Sequence, residues 1–217
     1  MRPERFQRMR DVLLRRQPDL TVLMDRVNKS HNFSAILRNC DAVGVLDVHV
    51  VPPEEGLDLH HGTSAGTKKW VGVHPHADIG SAVSYLKEQD FHLVAAHPAA
   101  DAVDFRDYDF TRPTAVIMGA ELHGVSDEAL AAAGTHVVIP MLGMVHSLNV
   151  SVATALLLYE AMRQREASGM YAETRLPRDA FRARLFEWAY PSLARRLAAE
   201  GRPYPDLDDD GLPLRPG

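Results

Sequence analysis

A few polar residues stand where a folded backbone leaves hydrogen-bonding groups to spare. Ser147 and Asn149 come directly before a long apolar run from Val150 to Leu158. Ahead of them the apolar segment Val137-Val138-Ile139 meets Pro140, which has no N–H for a sheet ladder and so ends a strand. A loop with Gly143 lies between. This order puts Ser147 and Asn149 at a helix N-terminus, whose free N–H groups and positive dipole end suit a ligand. Either residue serves equally well as a plain N-cap. A carboxylate, Glu121, sits in Gly119-x-Glu121-x-x-Gly124 after the apolar Ile117-Met118, placed to turn the chain or to accept from an asparagine or arginine. Asn32 and Arg38 share a third segment, His31 to Gly44, patterned as a helix ending in a glycine turn. Asn32 is placed to cap that helix, and Arg38, taken alone, reads as a surface arginine near a helix end.

Alternating short strands and helices must position these groups. Pro3 to Arg16 is predicted as a helix, with Phe6, Met9, Leu13 and Leu14 on one side and arginines on the other. Strands are predicted at Leu20–Met24, Val48–Val51, Trp70–Val73, His92–Ala96, Thr114–Met118 and His136–Ile139. Helices are predicted from Asn32, over Ser81–Gln89 and Asp127–Ala133, from about Asn149 to Arg165, and after Pro177. Residues 54–69 are expected as a loop. The pattern gives an α/β fold with a mostly parallel sheet flanked by helices.

The 217 residues and 46% hydrophobic content suffice for one sizeable domain with appendages. The expected division is a basic helix at 1–17, a catalytic domain at 18–166, a basic helical extension at 167–202 and a disordered tail at 203–217, rich in proline and aspartate. Cys40 is the single cysteine, so no internal disulfide and no multi-cysteine zinc site is expected. His60-His61 and His74-x-His76 lack a completing carboxylate or cysteine pattern, so no metal is expected either, and these histidines read as surface residues. The absence of a signal-type or membrane-length apolar segment points to a cytoplasmic protein.

A net charge of −5 conceals an uneven distribution. Residues 1–38 carry a balance of +5, residues 39–160 one of −11, and residues 161–205 one of +4. An acidic middle between two arginine-rich ends marks where a polyanion such as RNA can dock, although either end alone would pass for a solvated helix.

Together, His31-Asn32-Phe33-Ser34-Ala35-Ile36-Leu37-Arg38, the Gly119-x-Glu121-x-x-Gly124 segment and Ile139-Pro140-Met141 through Ser147-Leu148-Asn149 resemble, in order and spacing, the three motifs of the SPOUT superfamily of RNA methyltransferases. Within it the chain is similar to the bacterial TrmH/SpoU family, the tRNA (guanosine-18) 2′-O-methyltransferases. The resemblance reaches from RRQPDLTVLMDRV to the basic tail. It implies a C-terminal deep trefoil knot, between Gly119 and the helix after Asn149. It also implies a homodimer with a shared active site, tRNA as substrate and S-adenosyl-L-methionine as methyl donor. The glycine-rich turn of classical methyltransferases is missing after the first strand, so the cofactor belongs to the C-terminal loops. There the resemblance assigns Ala96, Gly119, Ile139 and Leu148 to its pocket, largely through backbone groups. It assigns Arg38, Asn32, Glu121, Ser147 and Asn149 to catalysis. Guanidinium groups hold their proton to a pKa above about 12, so base and phosphate clamp both stay open for Arg38. Ser30, Asn39, His123 and His146 depart from the usual family spelling, which leaves substrate preference more open than reaction. Ribosomal RNA 2′-O-methylation and a catalytically silent RNA-binding module are the competing readings. The short N-terminal segment favours tRNA.

Overall fold

A strand buried at every position, β1 (Leu20–Asp25), lies inside the sheet with a neighbour on either side. The computed structural model describes residues 2–53, 69–121 and 123–214. Around β1 run β2 (Asp47–Val51), β3 (Gly72–Pro75), β4 (His92–Ala96), β5 (Val103–Asp104), β6 (Thr114–Gly119) and β7 (Thr135–Val138). They form one seven-stranded sheet in the order β3-β2-β1-β6-β4-β7-β5. Every pairing between these strands is parallel. The apolar runs Leu20 to Met24 and Thr114 to Met118 fit this placement, since inner strands of a parallel sheet are covered on both faces. The two-residue β5 at the edge is too short to leave a periodic signal in sequence.

Helices α2 (Ser30–Val43), α3 (Ile79–Glu88), α4 (Asp127–Ala132) and α5 (Val150–Ala167) accompany the sheet. One apolar layer joins Phe33, Ile36, Leu37, Leu157 and Leu158 to Val22, Val48 and Val116. A second joins Ile79, Leu86 and Ala129 to Leu23, Ala115 and Ile117. Truncating a fully buried leucine such as Leu157 would cost about 2–5 kcal/mol. At the last turn of α5, Arg165 is wholly buried. Its guanidinium donates to the Asp19 carboxylate at 2.6 Å and to the carbonyls of Phe110, Asp19 and Arg112 at 2.9–3.0 Å. A buried charge is tolerated where its hydrogen bonds are made, as here.

The chain divides into two compact units, Pro18–Met170 and Met1–Gln17 with Tyr171–Gly217. The second unit packs α1 (Pro3–Leu14), α6 (Arg178–Ala189) and α7 (Pro191–Ala199). Phe6, Met9 and Leu13 are buried from α1, and Leu185, Phe186 and Trp188 from α6. Arg16 is also buried, its guanidinium 5.4 Å from the Trp188 ring. Of the tail, residues 203–214 are described. Tyr204 stacks on Phe186 at 4.9 Å, and the Tyr190 hydroxyl donates to the Gly211 carbonyl at 2.7 Å. Two aromatic anchors and backbone hydrogen bonds thus hold a segment whose aspartates and prolines suggest disorder. The expected loop at 54–69 lies outside the described residues except for Lys69, and with it the pair His60-His61. No helix among the described residues is long and apolar enough to cross a membrane.

Candidate active site

The carboxyl ends of β4, β6 and β7 open onto a cleft of about 640 Å³ in the unit Pro18–Met170. In open parallel sheets this edge is where ligands bind, because the loops there are free to vary while the strands stay fixed. Ala96, Gly119, Ile139, Leu148, Ser147, Asn149 and Glu121 all line it. Lys29, His97 and His146 line it too. Ile139 and Leu148 present apolar surface, while the strand ends and loops present peptide groups. Asn149 caps α5, with its side-chain oxygen accepting from the Ser151 N–H at 2.9 Å and the Ser151 hydroxyl at 2.6 Å.

Gly119 is required by close approach. A Cβ there would lie 2.0 Å from the Gly124 carbonyl carbon and 2.1 Å from the Val125 nitrogen. Gly124 itself has φ +69°, in the left-handed region that favours glycine. Its N–H donates to the Ala120 carbonyl at 2.8 Å, closing a tight turn that carries Glu121. The two glycines of the motif are therefore steric requirements of the turn.

One polar chain runs along the floor. Asn149 Nδ2 donates to Asn32 Oδ1 at 3.1 Å, and Asn32 Nδ2 donates in turn to Glu121 Oε1 in a short hydrogen bond. Three sequence-distant motifs thus meet in two hydrogen bonds. Asn32 does not cap its helix. The N-cap position is Lys29, and Asn32 is buried within the first turn of α2, facing Glu121. Glu121 Oε2 is buried without a hydrogen-bond partner among the described residues. Asn39, seven residues after Asn32 and so near the same face of α2, donates to the Ser151 carbonyl at 2.8 Å and ties α2 to α5. Arg38 does not join this group. It is exposed on α2, well inside the helix rather than near its end, and does not line the cleft.

A separate ionisable cluster joins β2, β3 and α3 outside the cleft lining. His49 Nδ1 and His76 Nε2 are 2.9 Å apart, and His49 also stacks on His74 with ring centroids 5.3 Å apart. Asp47 pairs with His74 at 3.2 Å. Burial, and then the neighbouring histidines, hold the His49 pKa down to about 4. The His74-x-His76 pair is thus more than surface decoration, because His76 reaches a buried ring. Among the described residues no group of three histidine, cysteine or carboxylate side chains is arranged to hold a metal ion.

Parallel sheet, cleft position and the meeting of the three motifs define a SPOUT-type α/β methyltransferase scaffold. The chain belongs to the SpoU rRNA Methylase family, whose model matches residues 19–159, and a SpoU rRNA methylase C-terminal model matches residues 163–212. It is 49% identical over 213 residues to the tRNA (guanosine(18)-2′-O)-methyltransferase of Escherichia coli strain K12, covering 97% of this chain and 93% of that protein. Among solved structures it is similar to the A. aeolicus TrmH/SpoU tRNA modifying enzyme, with a TM-score of 0.81 and 42% identity, covering 88% of this chain and 97% of the other. The SpoU methyltransferase AviRb from Streptomyces viridochromogenes, solved in complex with the cofactor AdoMet, shares 28% identity at a TM-score of 0.62, covering 70% of this chain and 62% of that one.

Proposed function

We propose that this protein transfers a methyl group from S-adenosyl-L-methionine to the ribose 2′-hydroxyl of guanosine 18 in tRNA. The observation that carries the reading is the Asn149–Asn32–Glu121 chain beneath a cleft at the carboxyl ends of β4, β6 and β7. It is supported by relatives of that activity that match over most of the chain.

The cleft fits the cofactor in chemistry. Peptide groups at Ala96, Gly119, Ile139 and Leu148 suit an adenosine and a methionine backbone, and the buried Glu121 Oε2, without a partner among the described residues, leaves one acceptor for a donor from the bound reactants. The cofactor supplies a methyl group on a sulfonium, a good leaving group, so the protein's work is to position the reactants and help a weak acid lose its proton. Asn149 and Asn32 fix Glu121, and Ser147 joins the cofactor loop to them. Arg38 clamps the phosphate beside the target ribose and stabilises the developing alkoxide, or serves as base if a phosphate perturbs it.

Arg38 stands outside the cleft of its own chain, which favours a site shared in a homodimer. A second apolar side of α5 favours the same assembly. Val152, Leu156 and Tyr159, spaced along one side of α5, are 40–50% exposed, and Leu142, Met144 and Val145 before the helix are more exposed still. The trefoil knot of the family, between Gly119 and α5, the basic α1, α6 and α7 as the tRNA-binding unit, and a cytoplasmic location belong to the same proposal.

The test is methyl transfer from labelled S-adenosylmethionine to total tRNA and to ribosomal RNA, with the modified nucleotide mapped. Label confined to guanosine 18 of tRNA is expected. Label in ribosomal RNA alone would move the substrate, and binding of RNA with no transfer would leave a silent RNA-binding module.

A further inference from the structure

We propose that Asp25 is the positioning residue that holds Asn32 and Glu121 in register with each other. The proposal rests on the reading of the cleft as a methyltransferase site, and it adds a residue outside the three motifs.

Asp25 ends β1 and is 1% exposed. Its two carboxylate oxygens serve two different segments. Oδ2 accepts from the Ser126 N–H at 2.8 Å, across 101 residues. Oδ1 accepts from Arg26 Nη1 at 3.2 Å. A fully buried carboxylate is costly unless such partners are made, so the site is specified rather than incidental.

The Ser126 hydrogen bond fixes the turn that bears Glu121. Asp25 lies beside Gly119 in the β1–β6 register, at the start of that turn. Ser126 closes it, and its hydroxyl also accepts from the Ala129 N–H at 3.4 Å to cap α4. Glu121 lies between Gly119, set beside Asp25 by the strand register, and Ser126, held by the Asp25 side chain.

The Arg26 hydrogen bond fixes the segment that leads to Asn32. Arg26 has φ +53°, a left-handed conformation that costs a non-glycine residue about 1 kcal/mol or more. It persists because its N–H donates to the Val51 carbonyl at 3.0 Å and its guanidinium is held by Asp25. From this reversal the chain buries Val27 and enters α2 at Ser30. Asn32 follows in the first turn. Both ends of the Asn32–Glu121 hydrogen bond are therefore set from the same carboxylate.

Asp25→Asn tests this without a change of volume. An amide has one oxygen and one NH2, so it cannot accept from both the Ser126 N–H and Arg26. The first readout is amide hydrogen exchange of the apo protein. Faster exchange at Ser126 or at Arg26 than in wild type is expected, and protection unchanged at both would overturn the proposal. The second is single-turnover methyl transfer at saturating tRNA and cofactor, expected to fall at least tenfold. The decisive comparison is the double variant with Asn32→Ala. If Asp25 acts by positioning Asn32, the double variant is no more than about twofold slower than Asn32→Ala alone. Multiplying losses would overturn the proposal, as would a wild-type rate in Asp25→Asn. A wild-type protein that transfers no methyl group would instead fail the parent reading, and the exchange measurement would still decide whether Asp25 anchors the two segments.

Discussion

Asn149 and Asn32, 117 residues apart in sequence, share a hydrogen bond of 3.1 Å in which Asn149 Nδ2 donates and Asn32 Oδ1 accepts. The direction is dictated at both ends. The Asn149 oxygen already accepts from Ser151, and the Asn32 NH2 faces a carboxylate. Neither amide can be turned over without placing oxygen against oxygen or a donor against a donor.

Asn32→Asp should therefore be worse than Asn32→Ala. It sets a second carboxylate against Glu121, and two like charges so close raise one carboxyl pKa in the folded state. A raised carboxyl binds its proton more tightly when folded, so this variant should gain stability relative to wild type as pH falls from 7 towards about 5. Thermal melting across that range checks it, and a pH-independent difference would show that the two carboxylates do not share the site.

Arg38→Ala should lower methyl transfer by roughly 10²–10³-fold, in the range found for loss of a group aimed at developing charge. Cofactor affinity by calorimetry should stay within a few fold, because Arg38 lies outside the cleft lining. Parallel loss of both would remove it from the ribose and phosphate.

Gly119→Ala should abolish high-affinity cofactor binding and cost about 1–3 kcal/mol or more of stability, since the added methyl meets backbone that cannot rotate away. Gly143→Ala is the control, because nothing lies within 4 Å of the added carbon. Calorimetry and thermal melts of the pair separate a specific packing requirement from a general dislike of alanine in this cleft.

Charge removal at the C-terminal helices should act on RNA alone. Neutralising Arg195 and Arg196, both exposed on α7, should flatten log K for tRNA against log salt by very roughly 0.7–0.9 for each phosphate that is no longer neutralised. Arg165→Ala, by contrast, should destabilise the unit Pro18–Met170 by about 3–5 kcal/mol, leaving Asp19 without its buried partner. An unchanged salt slope in the first variant would place RNA recognition elsewhere.

The histidine cluster should give the protein an acid sensitivity separate from its carboxylates. His49 titrates near 6.5 when unfolded and at about 4 when folded. Between those values the unfolded chain binds the extra proton, so its contribution to stability is present above about pH 6.5 and is lost as pH falls towards 4. The limiting slope is about 1.4 kcal/mol per pH unit. Denaturant titrations of wild type and His49→Gln should diverge in slope over that window and run parallel above it.

How far the sequence reached can be judged from particular residues. The apolar runs of β1 and β6 announced buried parallel strands, and Asn149 before a helical pattern announced a helix start, because such features depend only on neighbours along the chain. The family motifs singled out Asn32, Glu121 and Asn149 as a group. They did not show that Asn32 bonds to both of the others, or that it leaves the capping position to Lys29. Lys29 and His97 gave no signal beyond their residue types, and His146 stood out only as a departure from the family spelling, since lining a cleft is a property of the fold.

Charge shows the same division. Counting placed arginines at both ends of the chain, yet Arg16 and Arg165 are buried, one beside Trp188 and the other on Asp19. Composition could not tell a solvated arginine from one whose partner is 146 residues away. Nor could it foresee that Tyr204 and Tyr190 would hold a tail of aspartates and prolines, or that Asp25 would serve Arg26 and Ser126 together. Local pattern determines what each segment prefers to be. Which buried carboxylate meets which distant N–H is decided only when parallel strands far apart along the chain are laid side by side, because hydrogen bonds are made through space and the sequence orders residues along a line.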